Sequence, residues 1–288
     1  MLLKDIFLYA DSHPTYKARL ESAVNLAAAH KAHLTGVYVP AVIPKGHPAD
    51  DGHSPRATAL LVEDTGNRST EKRPQIASDV YDRVQAEADE AKDLFVRQCE
   101  RAGVSGEWIY DEEPLLEALA LNARFCDLLV ISQPIAKDTT ERLITTLELP
   151  VLVIPNKGHY PVIGQRILVA WDRSPVALRA INNALPLLRL AAEVKILSVN
   201  LESVYRGAAY GSGIVEHMAR HSIKAERLRV DSKGASLSDA ILDTAKKEKS
   251  DLIVMGAYGK RGGLRERLLG GVTSNVVADA SVPLLLTH

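Results

Sequence analysis

Apolar residues along this chain fall in short runs, and the runs come in matching pairs. Ile6-Phe7-Leu8-Tyr9-Ala10 is followed by Asp11 and then Pro14, and Ile167-Leu168-Val169-Ala170-Trp171 is followed by Asp172 and Pro175 at the same spacing. Asp127-Leu128-Leu129-Val130-Ile131 matches Asp251-Leu252-Ile253-Val254-Met255, and Leu149-Pro150-Val151-Leu152-Val153-Ile154 matches Val282-Pro283-Leu284-Leu285-Leu286. Uninterrupted apolar runs of this length suit strands buried on both faces, as in a parallel sheet covered by helices. Between the runs the period lengthens. Val176, Ala180, Ile181, Ala184, Leu185 and Leu188 recur at the i+3 and i+4 steps of one helix face. Ser174 predicts the N-cap of that helix and Pro175 its first turn, while Pro186 predicts a bend or an early end.

Each half therefore reads as five strands alternating with helices. The strands fall near 4–10, 34–40, 106–110, 127–132 and 150–154 in the first half, and near 165–171, 194–200, 225–230, 251–256 and 283–287 in the second. This alternation predicts an α/β fold of two tandem doubly wound parallel five-stranded sheets with right-handed crossovers. The turn-rich stretch from Pro155 to Pro161 divides the chain into domains 1–157 and 158–288, and the first carries an inserted loop near 41–74, rich in Pro, Gly, His and Asp. The last strand of each half, Val151–Ile154 and Leu284–Thr287, is short and apolar. An open apolar edge is an aggregation hazard, so covering each has a physical motive.

Composition narrows the functions. A chain of 288 residues with a net charge of -1 can bury two cores but lacks the basic excess of a nucleic-acid binder. No apolar run approaches the ~20 residues that span a bilayer, and the N-terminus turns polar at once, without signal-peptide design. The two cysteines, Cys99 and Cys126, lie in unlike contexts and read as reduced thiols. A soluble, cytoplasmic protein is expected, with neither membrane nor nucleic acid as partner.

The candidate chemistry lies between the last two strands of the second half. There the chain reads Gly256-Ala257-Tyr258-Gly259, then ten residues, then Gly270-Gly271-Val272-Thr273. Glycines let a backbone approach a ligand closely. A helix that starts after Gly270-Gly271 offers free N–H groups and the positive end of its dipole, a seat for phosphate. Lys260, Arg261, Arg265 and Arg267 add positive charge nearby.

This order of strand, Gly-x-x-Gly, spacer, Gly-Gly-x-Thr, helix and Val-Pro strand resembles the universal stress protein family, of the tandem two-domain type. The resemblance implies an adenine nucleotide α-hydrolase-like fold and ATP as cofactor. It assigns Asp172 to the adenine–ribose end, the Val199 backbone to adenine, and Gly256, Gly259, Gly270, Gly271, Val272 and Thr273 to the phosphates. The loop is one residue longer than the family pattern, and Gly271 stands where many ATP binders carry Ser or Thr. In the first half Ser132-Gln133-Pro134-Ile135 replaces Gly-x-x-Gly, so that site is read as degenerate. The family further implies a homodimer or an internal pseudo-dimer.

Other groups carry a blander reading. His217 and His221, four apart on a helix, could bind zinc but lack a third ligand in sequence. His47, Asp50, Asp51 and His53 read as a solvated polar loop, and Glu87, Asp89, Glu90 and Asp93 as a solvated helix face. His30 and His33 are expected to end a helix and favour its negative pole. Asp11 is expected to cap. No metal site and no nucleophile–base constellation is expected, so at most slow ATP hydrolysis is anticipated. The functional expectation is an ATP-binding regulatory protein of the stress response acting on a protein partner. The alternatives are a nucleotide-free scaffold of the same fold and, less favoured, an ATP-using enzyme.

Overall fold

The computed structural model describes residues 2–40, 73–133, 137–200, 209–258 and 271–288. Ten strands and eight α-helices alternate along these segments. The first half runs β1 (Asp5–Ala10), α1 (Tyr16–His30), β2 (His33–Tyr38), α2 (Arg73–Ala102), β3 (Gly106–Tyr110), α3 (Leu115–Asn122), β4 (Leu128–Ser132), α4 (Lys137–Leu147) and β5 (Val151–Ile154). The second runs β6 (Arg166–Ala170), α5 (Pro175–Leu188), β7 (Glu193–Val199), α6 (Ala209–Arg220), β8 (Ala225–Val230), α7 (Leu237–Lys247), β9 (Leu252–Gly256), α8 (Val272–Asp279) and β10 (Leu284–Thr287). Of the expected insert at 41–74, residues 41–72 lie outside the described residues, and 73–74 already belong to α2.

The strand order is β3-β2-β1-β4-β5-β10-β9-β6-β7-β8. Read outward from each final strand, both halves have the same doubly wound order, and all pairs within a half are parallel. The two five-stranded sheets are not separate. β10 pairs antiparallel with β5, Leu285 opposite Leu152, which closes both apolar edges and makes one ten-stranded sheet.

The core lies in two layers, one on each face of this sheet. Leu152, Ile154, Leu252 and Val254 point to the layer covered by α1, α2, α5 and α6. Val151, Val153, Ile253 and Met255 point to the layer under α3, α4, α7 and α8. This strict alternation explains why the strands read as unbroken apolar runs: both faces are dry. Each fully buried Leu or Ile contributes about 1.5–3 kcal/mol of transfer free energy.

The matched aspartates at the start of β4 and β9 are structural. Asp251 accepts the backbone N–H groups of Gly164, Gln165 and Arg166 at 3.0, 2.9 and 3.0 Å, and Asp127 those of Lys4 and Asp5 at 2.6 and 3.2 Å. Each pins the first strand of its half at the amino end of the sheet. The Ser174 cap forms, its hydroxyl accepting from Ala177 N–H at 3.1 Å. Pro186 does not end α5, which runs on to Leu188 because the proline falls in the last turn. His30 closes α1 as expected, but as a buried base: its Nδ1 accepts from Leu3 N–H at 3.3 Å, and burial lowers its pKa. His33 opens β2 instead of ending a helix, with Nδ1 2.9 Å from Ser105 Oγ.

Candidate functional site

In a doubly wound sheet a crevice opens at the carboxyl ends of the strands, where neighbouring strands send their connections to opposite faces. In the second half that point lies between β6 and β9. β6 leads into α5 on one face, and β9 leads through the segment 257–271 to α8 on the other.

The residues expected at the site are placed as follows. Asp172, exposed, follows β6, and its Oδ1 accepts from Ser174 N–H at 2.8 Å, leaving the second carboxylate oxygen for a ligand. Val199 is the last residue of β7. It shares the parity of Leu197, whose carbonyl accepts from Trp171 N–H at 2.8 Å, so the Val199 backbone points toward β6 beyond Ala170, the last paired residue there. Gly271 precedes α8 and provides no side-chain cap, so among the described residues no side chain caps the first N–H groups of Val272 and Thr273. Thr273 is buried, and its hydroxyl lies 3.4 Å from Tyr258 N. Gly259 and Gly270 lie outside the described residues.

Gly256 has a structural reason of its own. A Cβ there would meet Ala177 N and the Val176 carbonyl carbon, both backbone, at 2.7 Å. The end of β9 is glycine because the first turn of α5 rests on it.

Three residues that the sequence did not single out mark the same edge. Arg173 after β6, Asn200 after β7 and Tyr258 after β9 have positive φ of 66, 52 and 53°. The left-handed conformation costs a non-glycine residue about 1–2 kcal/mol, and asparagine least. Strain of this kind gathers at functional sites, where a chain is bent to aim backbone at a ligand. In the first half the described left-handed residues are Lys31, Gly103 and Glu148, each just beyond a helix and none at the carboxyl end of a strand.

The corresponding crevice of the first half, between β1 and β4, is crossed by Arg19. Its side chain is fully buried. One nitrogen donates to Asp11 Oδ1 at 2.9 Å and the other to the hydroxyl of Ser132 at the end of β4. The guanidinium lies 5.5 Å from the ring centres of Tyr9 and Tyr16, whose phenol pKa values burial pushes up, so both stay neutral beside it. Asp11 does not cap α1, whose N-cap is Thr15 without a side-chain hydrogen bond; it accepts from His13 N–H at 3.1 Å and holds Arg19. Counted from the aspartate, Arg19 corresponds to Ala180 in the second half. Where one half has an arginine across the crevice, the other has a methyl group.

Elsewhere, Cys99 and Cys126 are free and buried, and burial raises their thiols to about 11 and about 12. His217 Nε2 bonds Asn182 Oδ1 at 3.0 Å and His221 Nδ1 lies 3.3 Å from an Arg189 nitrogen. Among the described residues there is no group of three metal-ligating side chains and no helix long and apolar enough to cross a membrane. The histidine and aspartate cluster at 47–53 lies outside them.

Fold and strand order define a doubly wound, Rossmann-like α/β protein. Residues 164–288 match the family model described as Universal stress protein family. A universal stress protein of Methanocaldococcus jannaschii is 29% identical over 138 residues, covering 42% of this chain and 81% of that protein. The crystal structure of a universal stress protein from Archaeoglobus fulgidus aligns with a TM-score of 0.71 at 17% identity, covering 98% of this chain and 97% of its own. A functionally unknown protein of Pseudomonas aeruginosa aligns with a TM-score of 0.56 at 15% identity, covering 99% and 92%. The similarity to the universal stress protein family thus lies in segment 164–288, and the fold is shared along the whole chain.

Proposed function

We propose that the chain is an adenine-nucleotide-binding regulatory protein of the stress response, with one ATP site, in its C-terminal half. In this reading residues 1–157 and 158–288 are tandem domains, the first without a working site, and the protein acts in the cytoplasm on a protein partner. The exposed carboxylate of Asp172 takes a ribose hydroxyl, the Val199 backbone frames adenine, and Gly256, Gly259, Gly270, Gly271, Val272 and Thr273 line the phosphates.

The observation that carries the reading is the set of left-handed residues Arg173, Asn200 and Tyr258 at the ends of three neighbouring strands. They surround the crevice that α8 faces with an N-terminus that no side chain among the described residues caps. One observation favours the scaffold alternative: the Thr273 hydroxyl already lies near Tyr258 N–H, so it is not idle without a ligand. The chain binds nucleotide rather than turning it over at enzyme rates. No general base is placed by any motif in the sequence.

The test is to purify the protein without added nucleotide, denature it gently and chromatograph the released small molecules. Adenine nucleotide close to one equivalent per chain supports the site. Its absence, together with no binding of added ATP, supports the scaffold.

A further inference from the structure

Helix α8 has an unusual exit. It is only 8 residues long, a length marginal without tertiary support. Ala280 leaves it extended instead of left-handed, so α8 lacks the Schellman closure that would satisfy its last carbonyls. Those carbonyls are taken by the other half of the chain. The Gln133 side-chain amide, at the end of β4, donates to Val277 O and to Ala278 O, the latter at 2.7 Å.

Gln133 is itself fixed. Its backbone N–H donates to Ile154 O at 2.7 Å, and its Oε1 accepts from Asn156 N–H at 3.3 Å. The amide has no freedom to turn, since both its ends are engaged. Beside it lies Tyr160, whose single hydroxyl proton is shared between Lys157 O at 2.5 Å and Ser281 O, just past α8, at 3.0 Å. Tyr160 in turn gives its carbonyl to Ser22 of α1 at 2.8 Å. The position of Gln133 matters. It corresponds to Ala257, and both give a backbone N–H to the final strand of their half, Ala257 to Thr287 O at 2.8 Å. A glutamine stands where the second half has no reach at all.

We propose that Gln133 is a positioning residue that caps α8 from the first half, so that the first half sets how firmly the second can hold a phosphate chain. The coupling to phosphate rests on the nucleotide reading above; the cap does not. The first half, whose crevice Arg19 fills, thereby keeps a role in binding. A group that fixes one end of a short helix limits the tilt of its other end, and that end is where the N–H groups of Val272 and Thr273 stand.

Two measurements on the intact chain and on Gln133→Met, which keeps the length and loses the donors, test this. The first is amide hydrogen exchange without nucleotide. Residues 275–279, whose N–H groups are bonded within the helix, should exchange roughly fivefold or more faster in the variant, the strands of both halves staying as protected as before. The second is affinity for ATP and for adenosine. ATP should bind roughly fivefold more weakly, adenosine unchanged, because only ATP reaches α8. Unchanged exchange overturns the cap. Faster exchange with an unaltered ATP affinity, or with equal losses for ATP and adenosine, overturns its link to phosphate. If the intact chain binds neither ligand, the nucleotide reading and the link fail together, and exchange alone decides the cap.

Discussion

Arg19 holds Asp11 across the first crevice at 2.9 Å, and the two partners are unequally buried: the arginine side chain is 0% exposed, the aspartate 23%. Removing either one is therefore not equivalent. Asp11→Ala strands a buried guanidinium and should cost about 3–4 kcal/mol, in the range for breaking a buried pair. Arg19→Met fills the space and lets Asp11 turn to water, so about 1–2 kcal/mol is expected. Urea unfolding of the two variants checks the order; an equal or reversed order would mean that the pair is effectively solvated.

At the ends of β4 and β9 an alanine destabilises for different reasons. Gly256→Ala drives a methyl group into the backbone of α5 at 2.7 Å and should cost about 2–3 kcal/mol. Ser132→Ala adds nothing and removes an acceptor from Arg19 and a partner of Thr15, costing about 1–2 kcal/mol. Melting temperatures of the two variants would show it, Gly256→Ala being the lower.

Much of this arrangement was legible in the sequence. The three pairs of apolar runs located six of the strands, β1, β4, β5 and their counterparts β6, β9 and β10, because strands dry on both faces leave no polar interruption, and the two terminal strands do meet edge to edge. Pro186 misled, since a proline in the last turn of a helix need not stop it. The site was legible only as a motif. Backbone strain at Arg173, Asn200 and Tyr258 has no compositional signal, as an arginine or tyrosine does not advertise a positive φ. Arg19 was invisible for another reason: nothing in a helical pattern tells a buried arginine from an exposed one until a partner 113 residues away is placed beside it.

His30 makes stability pH-dependent. Burial holds its folded pKa below the ordinary 6.5, so the unfolded chain binds the proton more readily. Its contribution is complete above that value and is lost as the pH falls through it toward the folded pKa. His30→Gln keeps an acceptor for Leu3 N–H without titrating. Its unfolding free energy should fall less than that of the parent between roughly pH 7 and 5. Parallel curves for the two proteins would contradict this.

Both thiols should be silent in the folded protein. With Cys99 and Cys126 buried and raised to about 11 and about 12, neither has much thiolate at pH 8. A disulfide exchange reagent should titrate both only after denaturant is added. Rapid reaction of either in the native state would show that its segment opens readily.

The claim that the second crevice binds nucleotide and the first does not is tested most directly by calorimetric titration with ATP, read first for stoichiometry. One equivalent per chain is expected, with Asp172→Ala weakening it by about tenfold, the worth of a hydrogen bond to a charged group, and Asp11→Asn leaving it unchanged. Two equivalents per chain, or an affinity indifferent to Asp172, would contradict the account.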